Sequence, residues 1–76
     1  MFPRIVSDPA ILSGKPCVKG TRLSVEFLLE LIASRATRDE IVEKYPQLAP
    51  EDIDQAIQYA AYVLKSSSVI QTRAAG

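Results

Sequence analysis

Histidine and tryptophan are missing from these 76 residues, and cysteine occurs once, at position 17. Without histidine, neither a Cys–His nucleophile pair nor a Cys/His metal cage can be assembled within one protomer. A lone cysteine excludes an internal disulfide and makes a reducing, cytoplasmic location the expectation. Long apolar runs are also missing. No stretch approaches the roughly 20 residues that span a bilayer, and Met1-Phe2-Pro3-Arg4 does not open a charged leader followed by an apolar segment. Internal repeats and low-complexity tracts are absent as well.

What is present is a small, apolar-rich chain, 47% hydrophobic, with nine Lys plus Arg balanced by nine Asp plus Glu. A chain this short hides only about 60% of its extended surface, so it holds one marginal core, a shortage that self-association relieves. The zero net charge is unevenly distributed. Arg4, Lys15, Lys19 and Arg22 face only Asp8 in residues 1–24, a net of three positive charges. Residues 25–64 carry eight acids against Arg35, Arg38 and Lys44, a net of five negative charges. Such a polar molecule can be oriented by an anionic partner.

Read along its length, the chain begins extended and turn-rich. Arg4-Ile5-Val6-Ser7 reads as a short strand, closed by Asp8-Pro9, because the residue before proline is pushed out of the helical region. A hairpin is expected next, with Pro16-Cys17-Val18 and Thr21-Arg22-Leu23 joined through Lys19-Gly20, where glycine takes positive φ readily. Three helices follow. Ser24 is the expected N-cap of a helix from Val25 to about Ser34, whose apolar residues leave only Glu26 and Glu30 as a polar strip and so require cover on most sides. Thr37-Arg38-Asp39-Glu40 has the form of a capping box, opening a short helix that turns Ile41, Val42 and Tyr45 inward and stops at Pro46. Pro50 suits the first position of a third helix running to about Lys65, with Glu51 and Asp52 where the dipole favours negative charge. Ile53, Ala56, Ile57, Ala60 and Leu64 recur on one face, and Tyr59, Tyr62 and Val63 widen it enough to predict a second partner surface. Residues 1–65 are thus read as one domain and 66–76 as a flexible tail.

Catalytic readings fail on residue types. The hydroxyls have no histidine beside them, and the lysines near them sit on turns. The acidic groups Glu51, Asp52, Asp54 and Asp39, Glu40, Glu43 could hold Mg²⁺, but at helix N-termini they read first as dipole complements. Gly14-Lys15 is no phosphate loop, since Pro16 replaces the hydroxyl residue and Pro9 the leading glycine. Cys17 reads as a small buried apolar residue, a reactive thiolate near Lys15 and Lys19 being the alternative. The tyrosines read as core or interface aromatics before base-stacking platforms. The second and third helices, joined by a short turn behind an apolar first helix, have the plan of a helix-turn-helix in which the third helix reads DNA. Gln55 and Gln58 can contact base edges there, although Glu51, Asp52 and Asp54 would face phosphates repulsively. A three-helix fold without any nucleic-acid role is the alternative.

The run Ile11-Leu12-Ser13-Gly14-Lys15-Pro16-Cys17-Val18-Lys19-Gly20-Thr21-Arg22-Leu23, followed by the apolar helix, Asp39-Glu40-Ile41, Tyr45-Pro46-Gln47-Leu48 and Glu51-Asp52-Ile53, resembles the prokaryotic family catalogued as domain of unknown function 433, DUF433, over about residues 5 to 64. The resemblance implies a short N-terminal β-hairpin and a homeodomain-like helical bundle. It further implies an antitoxin-like role, with binding to a PIN-like ribonuclease toxin and to operator DNA, and no catalytic residues to transfer. Three positions depart from the family pattern: Ser13 and Arg35 replace glycine, and Ala49 replaces threonine. Positive φ at Arg35 would carry a conformational cost that glycine avoids, and Ala49 forfeits an N-cap hydroxyl at about 1 kcal/mol.

The expectation is therefore a mostly α domain, a short β-hairpin followed by a three-helix helix-turn-helix bundle, acting as a cytoplasmic, non-enzymatic, homodimeric, antitoxin-like binding protein without cofactor or metal. Lys15, Lys19 and Arg22 on the hairpin and Arg38 on the second helix are the expected phosphate contacts, and Gln55 and Gln58 the expected base contacts. The alternative is a protein-interaction module that never touches DNA and uses Val69 and Ile70 of the tail to engage its partner.

Overall fold

The computed structural model describes residues 1–66, so the expected tail lies outside the described residues apart from Ser66, which ends the last helix. The order of elements is β1 (Ile5–Val6), a 3-10 turn (Leu12–Gly14), β2 (Cys17–Val18), α1 (Val25–Ala33), α2 (Arg38–Lys44) and α3 (Pro50–Ser66). A two-stranded antiparallel hairpin thus precedes three helices, as the sequence predicts.

The hairpin is built differently from the expected one. β2 pairs with β1, placing Ile5 opposite Val18 and Val6 opposite Cys17, and not with a strand at 21–23. Lys19-Gly20 does form the middle of a tight turn, closed by the Thr21 amide on the Val18 carbonyl at 3.0 Å, with Gly20 at φ +81°. Thr21 then diverts the ladder. Its hydroxyl donates to the Val18 carbonyl at 2.9 Å and accepts the Leu23 amide at 3.0 Å, so Leu23 has no N–H left for a strand partner. Only the Val18 amide to Leu23 carbonyl bond and a bridge between Cys17 and Ser24 remain of the expected pairing. Cys17 is buried, its thiol 3.1 Å from the Lys15 carbonyl, as expected of a small apolar residue.

The helices begin where their caps dictate. The Ser24 hydroxyl accepts the Phe27 amide at 2.9 Å. Thr37 and Glu40 complete the capping box, Glu40 Oε1 accepting the Thr37 amide at 2.8 Å and Thr37 Oγ1 the Glu40 amide at 3.1 Å. α1 closes in a Schellman turn: the Ala36 amide reaches the Leu31 carbonyl, the Arg35 amide reaches that of Ile32, and Arg35 sits at φ +72°. α3 packs across α1, α2 and β1. Leu28 of α1, Ile41 of α2 and Ile53 of α3 meet at the centre with Val18, Leu48 and Ala56. Each of the three large side chains contributes about 1.5–3 kcal/mol of burial.

That core is too small for the helices around it. On α1 only Val25 and Leu28 are buried, leaving Phe27, Leu29, Leu31 and Ile32 half-buried, so the cover that its apolarity demands is supplied by this chain on one side only. With 17 residues against 9, α3 is longer than α1 by roughly 12 Å at 1.5 Å per residue. Its second half leaves Ile57, Tyr62, Val63 and Leu64 exposed, the last at 55%.

Candidate functional site

Three surface features follow from this arrangement. The first lies where the 18–21 turn meets the 45–49 connection between α2 and α3. The β1 pairing carries Arg4 to the start of α3, where its Nη1 donates to Asp52 Oδ1 at 2.9 Å. Asp52 Oδ2 accepts the Ala49 amide at 2.8 Å, so this 6% exposed carboxylate caps the helix and anchors the N-terminal arm at once. Gln55 Oε1 accepts the Arg4 backbone amide at 3.0 Å, one turn further along α3. Around these groups lies a polar cavity of about 450 Å³ that Lys19 and Gln47 also line.

The second feature is the set of expected nucleic-acid contacts, which the fold disperses. Lys15 pairs with Glu26 at 3.0 Å and Arg38 with Asp54 at 2.9 Å, both in exposed bridges. Asp54, the acid that would repel phosphate, is thus neutralised by the very cation expected to attract it. Gln55 is engaged with Arg4, whereas Gln58 is exposed on α3. Lys19 and Arg22 are exposed near the turn and make no ion pair among the described residues. Of the expected phosphate contacts, only these two, both near the turn, are without an ion pair among the described residues. Neither Arg4 nor Asp52 is among the site residues expected from the sequence. Asp52 had a local signal, an acid at the third helical position where it can reach back to the N-cap amide. Arg4, 48 residues away from it, had none.

The third feature is an apolar groove of about 560 Å³ between α1 and α3. Val25, Leu29 and Ala33 supply one wall, Ala60, Val63 and Leu64 the other, with the Lys15–Glu26 pair at its edge. Alanines at positions 33 and 60 keep both helix backbones accessible to a side chain entering from outside. Tyr59, which also lines the groove, and Tyr62 contact the Phe2 ring, at centroid distances of 5.5 and 5.6 Å. They are packing aromatics, and Tyr45 likewise stacks edge-on to Phe27 at 5.7 Å. The polar lining of the groove is Lys15, Glu26, Glu30 and Tyr59, with Lys15 and Glu26 paired to each other. Among the described residues no group of three or more Cys, Asp or Glu side chains is placed to hold a metal ion, and no helix is long and apolar enough to cross a membrane.

The family model described as a protein of unknown function, DUF433, covers residues 5–60. No curated protein and no solved structure matches the chain. The matched span takes in the hairpin, the first two helices and α3 as far as Ala60, so it includes the Arg4-flanked strand, the turn and most of the groove. The chain belongs to the DUF433 family.

Proposed function

We propose that the chain is a non-enzymatic, antitoxin-like binding protein that works as a homodimer. The observation that carries this reading is the groove between α1 and α3 beside the exposed Ile57 and Leu64. A two-fold interface needs one patch that serves as both knob and hole. Here the projecting side chains and the hole they would fill lie on the same helix face, so a second copy is the occupant that the shape favours. Pairing of two copies along the groove covers the half-buried apolar side of α1 and relieves the shortage of core. A dimer also gives two copies of the turn-bounded cationic region, as a two-fold operator requires.

The toxin half of the reading, capture of a PIN-like ribonuclease, rests on the family resemblance. Co-expression with the product of the neighbouring reading frame tests it: co-purification in a fixed ratio and loss of the partner's ribonuclease activity are expected, and an unaffected nuclease overturns it. For the DNA half, Lys19, Arg22 and Gln58 are the residues with free reach, and fluorescence anisotropy on the chain's own promoter at low and moderate salt is the test. A second reading, a protein-interaction module without DNA binding, is favoured by one specific observation: Lys15, Arg38 and Gln55 already have partners within the chain. No anisotropy change at either salt selects it.

A further inference from the structure

The cavity at the turn has features that neither capping nor packing requires. Arg4 is held at three points: its amide on Gln55 Oε1, its carbonyl under the Lys19 amide at 2.7 Å, and its Nη1 on Asp52 Oδ1. A guanidinium has five N–H donors, and the ion pair occupies one terminal nitrogen while the side chain remains 43% exposed. Asp52, by contrast, has both oxygens engaged, by Arg4 and by the Ala49 amide. The carboxylate therefore fixes the arginine and leaves the rest of its fork available to the cavity. Lys19 lines the same cavity with no ion pair among the described residues, and the hydrogen bond from its backbone amide to the Arg4 carbonyl keeps the two cations on adjoining backbone. Arg4 and Lys19 against Asp52 leave one positive charge in excess. That balance rejects a metal cation and suits a monoanion.

We propose that this cavity is a phosphate site, with Arg4 as the prepositioned fork and Lys19 as the mobile second cation. Where the chain docks on DNA the group is a backbone phosphodiester, which carries a single negative charge; this assignment of the source rests on the operator reading, and the phosphate chemistry does not. The immobilised arginine loses little freedom on binding, the usual gain from preorganisation. The site also explains why the N-terminal arm is tied to the start of α3: the tie brings a cation from the first residues of the chain to the helix-turn-helix connection, where Glu51 and Asp52 would otherwise leave the local field negative.

Amide resonances of the ¹⁵N-labelled full chain, followed on addition of inorganic phosphate and of acetate at equal ionic strength, test the site directly. Saturable shifts at Lys19, Gly20 and Ala49 with phosphate alone are expected, weakened at least several-fold in Lys19→Gln, a substitution on an exposed turn. Arg4→Lys keeps a cation for Asp52 but removes the fork, and is expected to weaken the shifts while retaining a folded spectrum. In the DNA arm, Lys19→Gln should lower the slope of log K against log salt by about 0.9, the value of one phosphate contact. Phosphate shifts without DNA binding support the site and sink the operator reading alone. Phosphate shifts with DNA binding whose slope is unchanged in Lys19→Gln support free phosphate and overturn the diester assignment. Absence of phosphate-specific shifts, with the DNA slope unchanged or DNA unbound, overturns the site.

Discussion

Arg35 sits in the left-handed region at φ +72°, at the position after the α1 cap where the Schellman turn favours glycine. A side chain there costs about 1–2 kcal/mol, partly offset by the larger unfolded-state freedom that glycine would bring. Arg35→Gly is therefore expected to stabilise the fold by about 0.5–1 kcal/mol, read as a rise of a few degrees in thermal midpoint. A fall would mean that the arginine makes a compensating contact. Ser13 occupies the same region at φ +57°, preceded by Leu12 at φ +50°, so both glycine-to-side-chain departures from the family pattern fall where the backbone is left-handed. The third departure concerns a cap. Ala49 offers its amide to Asp52 but no hydroxyl in return, so the box is half complete. Ala49→Thr should complete it and add about 1 kcal/mol in denaturant unfolding, with an unchanged m-value.

The helices were legible because their signals are local. Ser24, Thr37 with Glu40, and Pro50 each act within one turn of the helix they start, and each is found where expected. The left-handed backbone at Arg35 was signalled only by the resemblance, whose pattern has glycine there. The hairpin was not legible, because its register depends on which amides Thr21 withholds and on a first strand that lies ten residues upstream of its partner. The three ion pairs were illegible for a similar reason: Arg4–Asp52, Lys15–Glu26 and Arg38–Asp54 join separate elements. They redistribute the roles of the expected site residues, taking Lys15 and Arg38 into bridges and bringing in Arg4. Of the three, only Arg4–Asp52 has a buried member. Arg4→Ala leaves that carboxylate without its cation, at an expected cost of about 1–2 kcal/mol after discounting for the exposed arginine. Arg38→Ala, on an exposed pair, should cost less than about 1 kcal/mol. Equal losses in the two variants would contradict the distinct role given to the Arg4 tie.

For the molecule as a whole, the decisive imbalance is between eight buried apolar side chains among the described residues and a long α3 that runs beyond them. The apolar period of α3 was legible, but which of its residues the domain itself would cover was not. Ile53 and Ala56 are fully enclosed, whereas Ile57 and Leu64, on the same predicted stripe, are 42% and 55% exposed, Leu64 at the groove that α1 and α3 leave open. A second copy seated there would cover them. Sedimentation of the full chain at micromolar concentration tests this most directly, with Leu64→Glu alongside. A dimer is expected for the parent chain and a folded monomer for the variant, its circular dichroism retaining the parent's helical content. A parent chain that remains monomeric throughout that range, or a Leu64→Glu variant that dimerises as tightly as the parent, would contradict this expectation.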